Sequence, residues 1–215
     1  MSKIVIDLQR DCVDLSIPCD QLLLKAYAIA FKLGISSMVD FCSKELYGYA
    51  DAKREDIPAY RKGILGLEGV DGYKNAYPII LRQNSEFTVL EISQSITEIE
   101  SMDLSKGSVL YSNASAEESY FIRQKIKADS DVFIRKVIPA YLFKAVLIKV
   151  RKMILEWALE LEKNGIYGEQ LIFSDEEQKK VDAIPSIKII INGNVSNSNI
   201  AGEFKDSISK VQTQG

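Results

Sequence analysis

Residues that usually carry out acid–base, nucleophilic or metal chemistry are scarce or poorly spaced in this chain of 215 residues. Histidine is absent, which excludes Ser-His-Asp and Cys-His nucleophilic sites and histidine-ligated metals. No carboxylates are paired for acid–base catalysis: Glu98 and Glu100 do not share a helix face, and Glu203-x-Lys205 lies in a polar tail. We therefore expect no catalytic residue, no metal site and no cofactor, and we identify no small-molecule ligand.

Three cysteines, Cys12, Cys19 and Cys42, form no Cys-x-x-Cys pair. They cannot all pair within one chain, and a three-cysteine zinc site would need a fourth ligand. The sequence therefore favours reduced, buried thiols in a cytoplasmic protein. The N-terminus has no signal-peptide pattern and no uncharged apolar stretch reaches about 18 residues, so we expect neither secretion nor a membrane span.

An aromatic and cationic cluster follows the first fifty residues and comprises Tyr47, Tyr49, Tyr60 and Arg61. Such a group could stack on a nucleic-acid base or a nucleotide. Tyrosines of this kind are more often half-buried, with their hydroxyls satisfied inside the fold. The sequence leaves both interpretations open and favours the second.

Positive charge is concentrated between residues 123 and 152. This segment holds nine basic and two acidic residues, a local net charge of +7, whereas the whole chain has −3. A basic face of this size could contact phosphate groups of nucleic acid or an anionic membrane. Pairing with acidic parts of the same chain is the favoured alternative. The candidate contacts on the predicted helix of this segment are Lys144, Lys149, Arg151 and Lys152.

The first fifty residues are predicted to form three helices, because apolar residues recur there every three or four positions. The second helix is predicted to be capped by Asp20 and to end before Gly34. The third is predicted to be capped by Ser36 or Ser37. Three short amphipathic helices must pack together to bury their apolar faces, so we expect a compact bundle.

After this bundle the pattern changes to short strands mixed with helices. Residues 86–100 carry apolar side chains three or four positions apart, which predicts a helix. Residues 117–126 fit a helix and a strand equally well. Strands are predicted at 61–70, 77–81, 106–111 and 132–138, with a turn at Asp71-Gly72.

A long helix is predicted at residues 139–164. Its apolar seam has the 4-3-4-3-4 spacing of a coiled coil, Pro139 suits a helix start and Gly165 suits the position after its end. The seam consists of Phe143, Leu147, Val150, Ile154, Trp157 and Leu161. Farther on, Ser174-Asp175-Glu176-Glu177 predicts a capping box that begins a short helix.

The chain ends in an isoleucine-rich predicted strand and an asparagine-rich polar tail, where Asn194, Asn197 and Asn199 are candidate contacts. The predicted class is α+β, with an N-terminal three-helix bundle, a small antiparallel sheet, one long helix and a β-rich tail. The predicted domains are a bundle at 1–50, a mixed body at 51–184 and the tail at 185–215.

Several motifs, in this order, resemble the AbiTii family of abortive-infection, phage-resistance proteins. The resemblance extends over nearly the whole chain and implies a role in antiviral defence, without a catalytic motif. The motifs are LLLKA at 22–26, AFKLG at 30–34, ELYGY at 45–49, IPAYR at 57–61, QSITEIE at 94–100, WALELE at 157–162, GIYGE at 165–169 and FS at 173–174.

These observations favour a non-enzymatic interaction and oligomerisation module of a defence system. Its expected partner is a second copy of the chain or another defence protein, reached through the tail, because strand edges invite pairing. The alternative is a toxic effector that binds nucleic acid or membrane through the basic face of residues 123–152.

Overall fold

The computed structural model describes residues 3–81, 85–105 and 107–183, and these residues form an α+β protein as the sequence predicted. The chain divides into two compact units. Unit 1 comprises the described parts of Met1–Gly48, Ser95–Thr97 and Val150–Gly215, and unit 2 comprises those of Tyr49–Gln94 and Glu98–Lys149. The domain boundaries expected at residues 50 and 184 stay predictions, and the predicted tail lies outside the described residues.

Unit 1 contains the predicted three-helix bundle: α1 (Ile4–Val13), α2 (Cys19–Lys32) and α3 (Ser36–Tyr47). The predicted caps are wrong, because Pro18 and Ile35 occupy the N-cap positions of α2 and α3 and neither helix has a side-chain cap. Asp20 instead lies in the first turn of α2, where a carboxylate interacts favourably with the helix dipole. Gly34 has φ +70° and ends α2 as predicted.

Unit 2 contains all six described strands, and the first five are β1 (Lys62–Ile64), β2 (Gly66–Val70), β3 (Ala76–Ile79), β4 (Val89–Glu91) and β5 (Val109–Asn113). The sixth strand, β6 (Phe133–Pro139), also lies in unit 2. Helix α5 (Ala116–Ile126) also lies in unit 2 and resolves the ambiguity at 117–126 as a helix, whereas helix α4 (Ile96–Glu100) begins in unit 1 and ends in unit 2.

The strands form two antiparallel sheets. One pairs β1 with β4, and the other has the order β3-β2-β6-β5. Residues 61–70, predicted as one strand, form two strands that are divided at Leu65. The Leu65 N–H donates to Thr88 O (2.9 Å), next to β4, whereas β2 after it pairs with β6. The turn at Asp71-Gly72 is confirmed: Asp71 accepts N–H bonds from Tyr73 and Asn75.

Two predictions in this region are wrong. Residues 86–100 do not form one helix: a 3-10 turn (Glu86–Thr88) leads into β4, and a helix begins only at Ile96. The apolar spacing looked helical, but pairing of β4 with β1 decides the conformation. Pro139 does not begin a helix; it ends β6 opposite Val109.

The long helix is confirmed as α6 (Tyr141–Lys163), and α7 (Asp175–Ala183) follows it. Within unit 1, the predicted seam is fully buried at Val150, Ile154, Trp157 and Leu161. In unit 2, Phe143 is 3% exposed, whereas Leu147, the remaining residue of the predicted seam, is half-buried. The apolar spacing of this helix therefore identified its buried face correctly.

A crowded loop connects α6 with α7. Gly168 has φ +61°, and a Cβ atom there would lie 2.5 Å from Phe173 Cε1 and 2.9 Å from Ile4 Cγ2. The N–H of Ile4 donates to Gly168 O (3.1 Å), so the start of α1 lies directly against this glycine. Only glycine fits both the left-handed backbone and the available space.

Gly168→Ala should destabilise unit 1 more than Gly34→Ala. Both glycines have φ near +65°, but a Cβ at Gly34 meets nothing within 4 Å. Gly34→Ala should cost about 1 kcal/mol of backbone strain, and Gly168→Ala about 2–4 kcal/mol, since steric overlap is added. Urea unfolding of both variants measures the difference, and equal costs would contradict the crowded geometry.

Candidate interaction sites

Two residues of the predicted aromatic and cationic cluster, Arg61 and Tyr49, are buried inside unit 2. The Arg61 side chain is fully buried, and its Nη1 donates to Ile92 O (3.0 Å) and Gln94 O (2.7 Å). Its guanidinium carbon lies 4.7 Å from the centre of the Tyr49 ring, which is 5% exposed. Because both side chains are buried, neither presents a surface on which an external base could stack.

Backbone hydrogen bonds of Arg61 and Tyr49 involve the same segment, residues 92–94. The Tyr49 N–H donates to Ser93 O (2.7 Å), and the Ile92 N–H donates to Arg61 O (2.8 Å). Arg61 and Tyr49 therefore hold residues 92–94, a segment without regular secondary structure whose carbonyl groups need partners.

The other two tyrosines of the predicted cluster lie elsewhere. Tyr47 is the last residue of α3 in unit 1 and is 87% exposed. Tyr60 lies in the 3-10 turn (Ala59–Arg61) of unit 2 and is half-buried. Of the four residues, the structure thus brings Arg61 and Tyr49 into contact and leaves Tyr47 open to solvent.

In unit 2, three cations of the basic segment bind groups of the same unit. Arg123 Nη1 donates to Val132 O (3.0 Å), closing the connection between α5 and β6. Arg135 Nη2 lies 2.7 Å from Glu68 Oε2, and Lys136 Nζ lies 2.7 Å from Glu118 Oε1. These contacts fit the favoured interpretation, in which the segment's charge is used inside the chain.

Arg151 has a similar internal role in unit 1. Its Nη1 donates to Asp11 O (3.3 Å), Cys12 O (3.2 Å) and Asp14 O (2.9 Å), and its Nη2 donates to Ile17 O. These carbonyls belong to the end of α1 and the loop that follows, where no intrahelical donor remains. A cation at a helix C-terminus also interacts favourably with the helix dipole.

The remaining candidate lysines lie on α6. Lys152 Nζ lies 3.4 Å from Glu156 Oε1, and both side chains are largely exposed, so this ion pair contributes little. Lys144 is exposed and Lys149 is half-buried, and neither forms an ion pair within the part of the chain that the structure describes. Asn194, Asn197 and Asn199 lie outside the described residues.

All three cysteines are buried and reduced. Burial raises the pKa of the Cys12 thiol to about 11, although nearby Arg151 opposes the rise. Burial, with the neighbouring Glu45 and Cys19, raises the pKa of Cys42 still further. Since the thiolate is the reactive form, neither Cys12 nor Cys42 is suited to nucleophilic chemistry.

No three side chains of the types Cys, Asp and Glu lie close enough to hold a metal ion among the described residues. In the same part of the chain, no helix is both long and apolar enough to span a membrane.

The four-stranded sheet carries a surface that the sequence did not single out. Its inner face buries Leu67, Ile79, Ile134 and Ile138, and α5 lies on this side, where Lys136 contacts Glu118. We call the opposite side the outer face; strand register assigns to it Glu68, Val70, Val109, Tyr111, Phe133, Arg135 and Val137, among others.

The outer face is both apolar and accessible. Tyr111 is 55% exposed and Phe133 is 47% exposed. Arg135 connects Glu68 with Tyr111 on this surface: its guanidinium pairs with Glu68, and its Cζ lies 4.3 Å from the centre of the Tyr111 ring. Phe133, Arg135 and Val137 lie two positions apart, a spacing that places them on one face of a strand. Sequence alone does not say which face of a sheet is covered.

The Glu177 carboxylate holds the loop between α6 and α7. Glu177 Oε1 accepts the N–H groups of Tyr167 (2.8 Å) and Gly168 (3.1 Å), and its Oε2 accepts the N–H of Ser174 (2.9 Å). The Glu177 N–H donates back to Ser174 Oγ (3.2 Å), which confirms the predicted capping box. Burial raises the pKa of Glu177, but these N–H donors outweigh it and hold the pKa below its ordinary value.

Fold and surfaces together define an α+β protein in which Arg61, Arg123 and Arg151 bind backbone carbonyl groups and the four-stranded sheet has one open apolar face. The AbiTii family model matches residues 3–185, and the chain belongs to this family, as its motifs indicated. The family suggests a role in abortive-infection defence. No curated protein and no solved structure matches the chain.

Arg151→Ala should destabilise the protein by about 2–3 kcal/mol, because four carbonyl groups lose a charged donor. Lys152→Ala is the matched control on the next residue of α6 and should change stability by less than about 0.5 kcal/mol. Chemical unfolding measures both. Equal effects would contradict the role assigned to Arg151.

Glu177→Gln should reduce stability at neutral pH by about 1–2 kcal/mol, because a charged acceptor of several N–H groups is lost. Since the pKa of Glu177 is lowered in the folded state, its contribution is complete above the ordinary value of 4.5 and is lost as pH falls through the lower folded value. The stability gap between the parent and the variant should therefore close on acidification. Glu176→Gln, an exposed neighbour, is the control; a gap independent of pH would refute the assignment.

Proposed function

We propose that this protein acts in abortive-infection defence as a non-enzymatic interaction and oligomerisation module. The observation that carries the proposal is the exposed outer face of the four-stranded sheet. Its partner would be a second copy of the chain or another defence protein.

The chemistry of the described side chains supports a binding role. Cys12 and Cys42 are buried with raised pKa values, and Arg61 and Arg151 are engaged by backbone carbonyl groups. These groups serve the fold, whereas the outer face presents accessible apolar side chains among the described residues.

The outer face has the composition of a protein interface. Tyrosine, phenylalanine and arginine are enriched at such interfaces, where aromatic rings contribute a large apolar area and arginine adds directional hydrogen bonds. Tyr111, Phe133 and Arg135 lie together on this face, with Arg135 held in place by Glu68. Its geometry is therefore organised before a partner arrives, which reduces the entropy lost on binding.

The alternative function, a toxic effector that binds nucleic acid or an anionic membrane, rests on fewer groups. Its remaining support is a set of basic side chains that form no ion pair with the described residues: Lys125, Lys127, Lys144 and Lys149. Binding of the purified chain to RNA or anionic vesicles, weakening steeply with salt, would favour this alternative.

Phe133→Asp should abolish or strongly reduce protection against phage, because a charge placed at the centre of an apolar interface typically costs several kcal/mol of binding. The measurement is the efficiency of plaque formation on cells that carry the protein and are challenged with a phage that the parent restricts.

Phe121→Asp provides the matched control. Phe121 on α5 is 46% exposed, almost the same as Phe133 at 47%, but it does not lie on the outer face. Both variants should be present at parental levels in the cell. Full protection by Phe133→Asp at that level would contradict the proposed use of the outer face.

A further inference from the structure

The two edge strands of the four-stranded sheet differ in what they offer to another strand. At one edge, the Asp71 N–H donates to Asn75 O (3.1 Å), and this bond sets the phase of the β2–β3 ladder. Hydrogen-bonded and non-hydrogen-bonded residue pairs alternate along an antiparallel ladder. Counting from the hydrogen-bonded pair Asp71 and Asn75, Pro78 belongs to a non-hydrogen-bonded pair, so its backbone nitrogen and carbonyl point away from β2. Proline has no N–H, and the edge at β3 therefore lacks an outward donor at its centre.

The opposite edge, β5, has no such protection. The Ala140 N–H donates to Ser108 O (3.1 Å) and the Ala114 N–H donates to Ile134 O (3.2 Å). These two bonds determine which residues of β5 form hydrogen-bonded pairs with β6. Leu110 and Ser112 then bond to β6. The N–H and C=O groups of Val109, Tyr111 and Asn113 point outward, and none forms a hydrogen bond with a described residue.

We infer that β5 pairs antiparallel with β5 of a second copy of this chain, around a two-fold axis at Tyr111. This inference rests on the proposed function and names the partner. In this register Tyr111 faces its own counterpart and Val109 faces Asn113, and each of these pairs exchanges two N–H···O=C bonds. The pairing is isologous and closed, so it yields a dimer instead of a fibre.

Charge favours a second copy as the occupant. All five residues of β5 are uncharged, so self-pairing places no like charges opposite one another. On the adjoining outer face, Glu68 and Arg135 neutralise each other. A strongly acidic or basic peptide would find no complementary charge along this edge.

The dimer would also cover exposed apolar surface. Val109 is 40% exposed and Tyr111 is 55% exposed, and both lie on the outer face beside the open edge. Pairing brings the two Tyr111 rings together and joins two four-stranded sheets into one continuous sheet. A ladder of five residues is short, so we expect a reversible dimer with a dissociation constant of about 1–100 µM.

A cysteine at the axis tests this geometry directly. Directly opposed residues of a hydrogen-bonded pair have Cα atoms about 5.5 Å apart, within the range that a disulfide bridges. Tyr111→Cys should therefore form a covalent dimer under mild oxidation with diamide, seen on a non-reducing gel. Phe133→Cys, on the same face but on β6, is the control and should remain a single chain. The three native cysteines are buried and give a low background.

A proline at the axis tests the backbone pairing. Tyr111→Pro removes an outward N–H without removing a bond to β6, whereas Tyr111→Thr removes the ring and keeps the N–H. Sedimentation equilibrium should show self-association of the parent, at least tenfold weaker association of Tyr111→Pro, and a smaller loss for Tyr111→Thr. Circular dichroism verifies that each variant is folded.

Two outcomes would overturn the inference: a parent chain that stays monomeric to about 100 µM, or equal cross-linking of Tyr111→Cys and Phe133→Cys. These outcomes are separable from failure of the proposed function. A monomeric parent whose protection is lost in Phe133→Asp would refute the dimer and retain the interaction module with a different partner.

Discussion

Carbonyl groups of irregular backbone, which have no partner in a helix or sheet ladder, are the constraint on which this structure depends. A carbonyl that leaves water without a donor costs free energy comparable to a lost hydrogen bond, and loops cannot supply the ladder of a helix or a sheet. This chain meets the requirement with arginine, whose planar group carries five donors. Arg151 serves the end of α1 and the following loop in unit 1, and Arg61 serves residues 92–94 in unit 2.

The same constraint explains why the charge of residues 123–152 is a poor guide to an external ligand. Arg123 and Arg151 bind backbone carbonyls, while Arg135 and Lys136 pair with Glu68 and Glu118. A local charge of +7 in the sequence therefore does not correspond to an equally positive surface. The outer face and the edge of β5 in unit 2 instead present exposed apolar side chains, among them Val109, Tyr111 and Phe133.

Much of the fold could be predicted because its signals are local. The four-residue spacing of α1, the seam of α6 and the capping box at Ser174 each depend on side chains of a single helix or its start, and all three are present in the structure. The helix predicted at 86–100 failed because apolar spacing cannot distinguish a helix from a strand and a turn that bury the same residues. Pairing of Val89 with Ile64 across β4 and β1 decided it.

Sequence alone thus determined the α+β class, the order of the main elements, the membership in the AbiTii family and the absence of histidine chemistry. The tertiary structure decided the partner of each cation, the covered side of the sheet and the edge without a proline. These features depend on contacts between residues far apart in the chain, such as Arg151 with Asp14, and no local pattern specifies them. Helical periodicity follows from the geometry of one segment, whereas a free strand edge is defined only when every neighbouring segment is in place.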